Sequence, residues 1–394
     1  MQDSTRGSAA PDHDDLQIPA YDVRGLAGLL PRITASLGVS VDGCPAYLAP
    51  AARAVVVLVD GLGLELLRSR SGHAPFLRDL LRRQEADDPM VEGLTAGFPA
   101  TTATSMGSFG TGLPPGSHGL VGYQVRIPGT ERLLNELSWQ DGPVPEEWQP
   151  ESTWFERAAA SDVAVTMVAP RDFEGSGLTR AALRGARFLG AEPLGERVDL
   201  ALAAARRDRR ALVYLYWGEV DRVGHRHGCG SWQWGDELEE TDRQLQRLHE
   251  QLPAGTSLTI TADHGMVDVA ADDRIDLAHD AELDDGVLLA GGEMRALQLY
   301  CRPGAASQVL ATWRARLASR AWVLSRDEAR DVGLFGPMHE RVLPRVGDVI
   351  VAMRDPIGVY DSRVMPRFVT RLVGQHGSLT PAEQRVPMLH VPVS

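Results

Sequence analysis

A chain of 394 residues, 43% hydrophobic and 24% charged, is long enough to bury a large core and has the composition of an ordinary soluble globular protein. Its 40 Lys and Arg against 53 Asp and Glu leave a formal charge of −13, which opposes nonspecific binding to nucleic acid or to an anionic membrane surface. An anionic substrate stays open, because bound divalent cations reverse the local field.

The three cysteines, Cys44, Cys229 and Cys301, form no CxxC pair. Neither a disulfide scaffold nor a thiolate zinc knot is expected, and a reducing compartment fits. Residues 1–20 are rich in Asp, Ser, Pro and Gly and read as a flexible tail, without the apolar h-region of a signal peptide. The longest apolar runs, 54–59 and 211–217, are strand-sized and far too short to span a bilayer. A cytoplasmic protein with no membrane partner is the expectation.

In chain order, an apolar, β-branched strand over 54–60 ends in Asp60-Gly61. A second strand is predicted at 163–168, a helix at 197–206 and a third strand at 211–217. A helix follows at 236–251, and a strand at 257–263 ends in Asp263-His264-Gly265. Strand–helix alternation predicts an α/β fold with a largely parallel central sheet and helices on both faces. Functional residues then gather beyond the carboxyl ends of strands, which is where Asp60, Asp221, Asp263 and His264 fall. The stretch 266–375 is broken by acidic residues and Gly, with short strands at 295–300, 322–325 and 348–353. It reads as a smaller subdomain inserted before the last motif. Residues 128–160, rich in Trp, Pro and Glu, read as part of a cap. The remainder, 21–394, reads as one domain.

Each chemical motif also has a bland reading. Asp60-Gly61 suits a strand-end turn. The hydroxyl-rich run after Pro99 leads into a short helix ending near Thr111-Gly112, so Thr102 is at least a cap, though free N–H groups there also suit a phosphate. Asp221 and His225, four apart, share one helical face and make either a surface ion pair or a metal-ligand pair. Adjacent Asp263 and His264 both reach a cation if the chain turns at Gly265, and His376 adds one more imidazole beside a Gly. Together they supply three carboxylates, three imidazoles and one hydroxyl, enough for two four-coordinate metals sharing a nucleophile.

The order Asp-Gly, Phe-Pro-x-x-Thr, Thr-Gly-Leu-x-Pro-x-x-His-Gly, Asp-x-x-x-His-x-x-Gly, Asp-His-Gly-Met and a late His-Gly resembles the alkaline phosphatase superfamily. The nearest branch is the nucleotide pyrophosphatase/phosphodiesterases. The resemblance implies an alkaline-phosphatase-like three-layer sandwich with a small cap. It implies one metal on Asp221, His225 and His376, and another on Asp60, Asp263, His264 and the oxygen of Thr102. The two divalent ions would be zinc, with manganese as the second choice, and Thr102 the nucleophile that forms a covalent intermediate. Where that branch carries an Asn after His-Gly, this chain has Tyr123 and Gln124, neutral donors expected to bind substrate. No Lys or Arg lies between Thr102 and Gln124, which favours diesters over monoesters, and Arg222 and Arg226 are expected to be solvated or paired with Glu219. The expected substrate is a small phosphoester. The alternatives are a phosphomonoesterase or phosphotransferase of the same fold, or a silent phosphate-binding scaffold.

Overall fold

The computed structural model describes residues 16–41, 48–87 and 93–393. Of the predicted tail, residues 1–15 lie outside the described residues, as does Cys44. Ala20 is already fixed to the body, its amide donating to Thr95 Oγ1 at 2.9 Å.

The elements that position the site run, in chain order, β1 (Arg53–Val59), α1 (Thr102–Thr111), α2 (Pro115–His118), α3 (Trp154–Ala159), β2 (Ala164–Ala169), β3 (Arg187–Gly190), α4 (Leu194–Arg207), β4 (Ala211–Trp217), α5 (Glu219–His227), α6 (Trp232–Gln251), β5 (Thr256–Thr261), β6 (Val287–Glu293), β7 (Ala296–Cys301), β8 (Ala321–Ser325), β9 (Val349–Met353) and β10 (Met388–Val391). The main sheet has the order β10-β5-β1-β4-β2-β3. All its pairings are parallel except β10 on β5. The central strands are buried on both faces, which is why β1 and β4 read as unbroken apolar runs.

Alternation along β4 decides what each face carries. Tyr214 packs with Phe109 of α1 and Phe155 of α3, ring centroids 5.3 and 5.8 Å away. The opposite face of β4 lies under α4, and α6 packs on α4. Helices on both faces make the three-layer architecture. No helix among the described residues is long and apolar enough to cross a membrane.

Within 266–375, strands β6 to β9 form an antiparallel sheet of order β6-β7-β9-β8 with its own apolar core around Trp313, Leu299 and Val351. The strands predicted at 295–300, 322–325 and 348–353 are β7, β8 and β9, each within one residue of its expected ends. Residues 124–135 form a short hairpin, and the segment after it brings Leu137 and Ser138 to the wall of a cavity beside Thr102.

Candidate metal centre and active site

The carboxyl ends of β1, β4 and β5 meet at one edge of the sheet, and the turns that leave them carry the polar residues. Asp60 follows β1, α5 starts two residues after β4 and carries Asp221 and His225, and Asp263-His264 follows β5. Gly61 has φ +73°, and a Cβ there would come within 2.9 Å of the Asp221 backbone. The Asp-Gly pair is therefore a steric requirement for bringing β1 and α5 together, as well as a turn.

Two clusters result. The ligand-type atoms of Asp221, His225 and His376 lie within 4.8 Å of one another, and so do those of Asp60, Asp263 and His264. In the first, His225 Nε2 is 3.4 Å from Asp221 Oδ1. In the second, His264 Nε2 is 3.4 Å from Asp60 Oδ1 and 3.5 Å from Asp263 Oδ2. The clusters abut, with the His264 and His376 rings stacked at 3.7 Å. Thr102, at the first turn of α1, places Oγ1 3.3 Å from His264 Nε2 and 3.5 Å from Asp60 Oδ2. All seven residues expected from the sequence as ligands or nucleophile come together. Neighbouring Thr101 instead turns its side chain to Glu293.

The imidazoles are presented in one tautomer. Nδ1 of His225, His264 and His376 faces a backbone carbonyl, of Gly374 at 2.7 Å, Gly265 at 3.1 Å and Ala100 at 2.9 Å. A carbonyl only accepts, so each Nδ1 donates and each Nε2 lone pair is left for the cluster. The carboxylates are held in the same manner. Asp263 Oδ1 accepts from the amides of Gly61 and His264, and Asp60 Oδ2 accepts from the Tyr216 hydroxyl. The other oxygens, Asp60 Oδ1, Asp221 Oδ1 and Asp263 Oδ2, are buried with no hydrogen-bond partner. Unsatisfied buried carboxylate oxygens are costly, and cations would satisfy them.

The electrostatics agree. Burial, then the charges of Asp263 and Asp221, pushes the Asp60 carboxyl well above the carboxylate range. Burial, then the neighbouring His264 and His225, pushes His376 well below the usual imidazole range. Divalent cations would reverse both pressures, so the residues present fit metal ions.

Beside Thr102 lies a cavity of about 350 Å³, walled by Met106, Met167, Phe173, Leu178, Tyr214 and Tyr216 among others, with no Lys or Arg. Neither Tyr123 nor Gln124 lines it. The Tyr123 hydroxyl hydrogen bonds to Asn135, and Gln124 pairs with Asn135 in the hairpin. Tyr216 and Phe173 are site residues that sequence reasoning missed; Tyr216 was legible as the inward neighbour, two along, of a strand ending at the metal motif. Glu293 is another, its carboxyl 3.3 Å from His376 Nδ1 and pushed well up by burial.

The Thr-Gly-Leu-x-Pro-x-x-His-Gly motif is a scaffold for α1. Buried His118 sits so close to Gly107 that a Cβ there would meet its ring at 2.4 Å. Its Nδ1 accepts from the Leu120 amide and its Nε2 bonds Ser108. Burial, then Arg341 and Arg345, lowers its pKa from 6.5 to about 3. The unfolded chain takes up this proton near 6.5 and the folded one only near 3, so stability from this group is full above 6.5 and lost as pH falls toward 3. Between those values it removes about 1.4 kcal/mol per pH unit. Urea titrations at mildly acidic pH values should show that slope reduced by about one proton in His118→Gln. An equal slope in variant and wild type would exclude it.

Comparison with known proteins follows the same lines. The sequence model for type I phosphodiesterase / nucleotide pyrophosphatase matches residues 54–379. Human ectonucleotide pyrophosphatase/phosphodiesterase family member 7 is 26% identical over 165 residues, 39% of this chain and 34% of that protein, so the match spans about a third of that relative's length. Murine ectonucleotide pyrophosphatase/phosphodiesterase 5 superposes with a TM-score of 0.66 at 18% identity, covering 86% of this chain and 87% of that one. An inactive threonine-to-alanine variant of it, in complex with AMP, gives 0.65 at 17% identity over the same shares. Phosphonoacetate hydrolase from Sinorhizobium meliloti 1021, in complex with phosphonoacetate, gives 0.65 at 19%, covering 89% and 92%. The family match over most of the chain, on a fold and motif order of this kind, means that the protein belongs to the type I phosphodiesterase/nucleotide pyrophosphatase family of the alkaline phosphatase superfamily, a family of hydrolases of phosphoric ester and anhydride bonds.

Proposed function

We propose that the protein is a metal-dependent phosphodiesterase or nucleotide pyrophosphatase acting on small phosphoesters through a covalent Thr102 intermediate. The observation that carries this reading is Thr102 Oγ1 beside Asp60 and His264, with the second cluster directly behind. Asp221, His225 and His376 would hold one divalent ion, and Asp60, Asp263 and His264 the other. The mixed carboxylate and imidazole donors suit zinc first and manganese second. Bound there, the ions supply Lewis-acid charge at the phosphoryl oxygens and lower the pKa of a hydroxyl or a water.

The residues of the chain do the rest. Helix α1 presents Thr102 at its first turn, where unpaired amides and the positive dipole end favour an anionic phosphoryl group. Thr102 Oγ1 loses its proton and forms a bond to phosphorus while the bond to the leaving oxygen breaks, its electron pair departing with that oxygen. Water then displaces Thr102 and regenerates the hydroxyl. The absence of any Lys or Arg beside Thr102 favours phosphorus with two substituents and one negative charge. The inactive threonine variant of the murine neighbour and its AMP ligand support a Thr nucleophile and a nucleotide-like group. The buried free thiols of Cys229 and Cys301 support a reducing, cytoplasmic setting.

Metal analysis with a nitrophenyl panel tests this. Wild type should carry about two equivalents of metal and His225→Ala about one, with one site emptied. The wild type should hydrolyse a nitrophenyl diester faster than the matched monoester. A metal-free active protein would sink the proposal.

A further inference from the structure

Five of the six cluster residues follow the strands β1, β4 and β5, while His376 arrives from the far side of the inserted subdomain. Its ring is approached from two directions at Nδ1. One is the nucleophile loop: Ala100 and Gly377 form a β-bridge, the Ala100 amide donating to the Gly377 carbonyl at 2.9 Å, and His376 Nδ1 donates to the Ala100 carbonyl at 2.9 Å. The other is Glu293, the last residue of β6, whose Oε2 lies 3.3 Å from the same Nδ1. Gly377 has φ +124°, and a Cβ there would meet Cγ, Cδ and Oε1 of Glu293 at 2.8 Å each. The glycine after His376 is therefore demanded by the approach of this carboxyl group as well as by its own backbone.

Glu293 is delivered by a fixed turn. It pairs with Ala296 across Met294-Arg295, and Arg295 fastens that turn to Glu383 and to the carbonyls of Met353, Asp355 and Ile357. The Glu293 side chain is 11% exposed, and its Oε1 is buried with no hydrogen-bond partner among the described residues. A buried carboxyl oxygen left without a donor costs stability, so packing does not account for it. A cation on the opposite side of the imidazole does. A carboxylate at Nδ1 makes the ring a stronger ligand through Nε2. The charge count points the same way, since the second cluster holds two carboxylates, Asp60 and Asp263, and the first holds Asp221. With Glu293 behind His376, each cluster has two.

We propose that Glu293 is a positioning residue of the first metal site, acting through His376 and placing behind its imidazole the negative charge that this cluster lacks. The inference rests on the metal assignment above and adds a residue that none of the ligand motifs contains. The Ala100 carbonyl and the stacked His264 ring hold His376 without Glu293, so the role lies in affinity for the ion and not in the fold.

Zinc affinities of the wild type, Glu293→Gln and Glu293→Ala, measured by competition with a chromophoric chelator, test it. The wild type should bind about two equivalents, and in both variants one of them should bind about 10- to 100-fold more weakly, the usual effect of removing such a partner. The affected site is identified in a His225→Ala background, where the equivalent that remains should not respond to Glu293→Gln. The metal-free variants should unfold in urea no earlier than the metal-free wild type, because an unpartnered buried group has been removed. Glu293→Gln is the decisive variant, since its amide keeps the shape and an oxygen for Nδ1 and removes the charge; it decides alone if Glu293→Ala does not fold. Two affinities within about 2-fold of the wild type in Glu293→Gln overturn the proposal and leave the metal assignment standing. Weakening of both equivalents together with a loss of metal-free stability also overturns it, and makes Glu293 a structural contact between the inserted sheet and the site. A wild type that binds no zinc overturns the metal assignment and this inference with it.

Discussion

Thr102→Ala should lower kcat by at least about 10³-fold while leaving the fold in place, since removing a nucleophile that acts with its site as a unit has effects of this size or larger. Three observations set the expectation. Thr102 Oγ1 lies within 3.5 Å of both Asp60 and His264. Thr102 begins α1 and donates no side-chain cap, so its loss costs the helix little. Asp60 and His264 keep their hydrogen bonds to Tyr216 and Gly265 without Thr102, so most of the metal content should remain. Acid-quenched wild type should yield a phosphorylated or nucleotidylated peptide modified at Thr102, and the variant none. Thr101 offers the internal control. It is buried at 2% exposure, serves as the residue before the helix and faces Glu293. Label found on Thr101, or a Thr102→Ala enzyme with more than about a tenth of wild-type kcat, would reverse the assignment.

The fold was legible where burial is two-sided. Strand β4 was predicted at its observed limits, 211–217, because a central parallel strand is apolar at every position. Strand β3 was missed because it is an edge strand of four residues, half exposed, with Arg187 at its start. Strand β10 was missed because it follows Pro387 and pairs antiparallel at the other edge. The cluster residues were legible because motifs that are each weak alone combine into the Asp, His and Thr set that two metals and a nucleophile require. Glu293 was not, because it reaches His376 only after β6 and β7 have folded back over the site, a contact with no sequence period. The sequence leaves Arg222 and Arg226 solvated or paired with Glu219, yet among the described residues only Arg222 makes that pair; the wall opposite Arg226 comes from residues 367–371, some 140 positions away. Tyr123 and Gln124 follow from alignment of a motif, and a motif does not report that the chain turns into a hairpin whose Asn135 engages the phenol.

The largest stability effect is expected from Glu383, which joins the inserted sheet to the catalytic edge. Its carboxylate accepts two bonds from Arg295, at 2.8 Å each, and one from the Ser378 amide at 2.9 Å, while its carbonyl accepts from the Gly265 amide at 2.8 Å. Arg295 spends its remaining N–H groups on the carbonyls of Met353, Asp355 and Ile357. Both side chains are at most 1% exposed. A buried pair with every polar atom answered contributes little beyond a hydrophobic replacement, but half of it is severe, because the survivor is a buried charge without a counter-ion. Glu383→Ala should therefore lower the unfolding free energy by about 3–5 kcal/mol, with Arg295 left unneutralised. Arg295→Leu/Glu383→Leu should recover a large part of that loss. The comparison needs urea titrations at one metal concentration, because metal binding to the native state adds its own stability. The two variants also separate a local from a global role. Glu383 sits next to the turn that carries His376, through Ser378, and to the turn after His264, through Gly265. If the pair only joins two bodies, the double variant regains both stability and metal content. If the carboxylate also sets those two turns, stability returns while metal content stays low. A loss below about 1 kcal/mol in Glu383→Ala would mean that water reaches Arg295 and that the insertion is held by its apolar contacts alone.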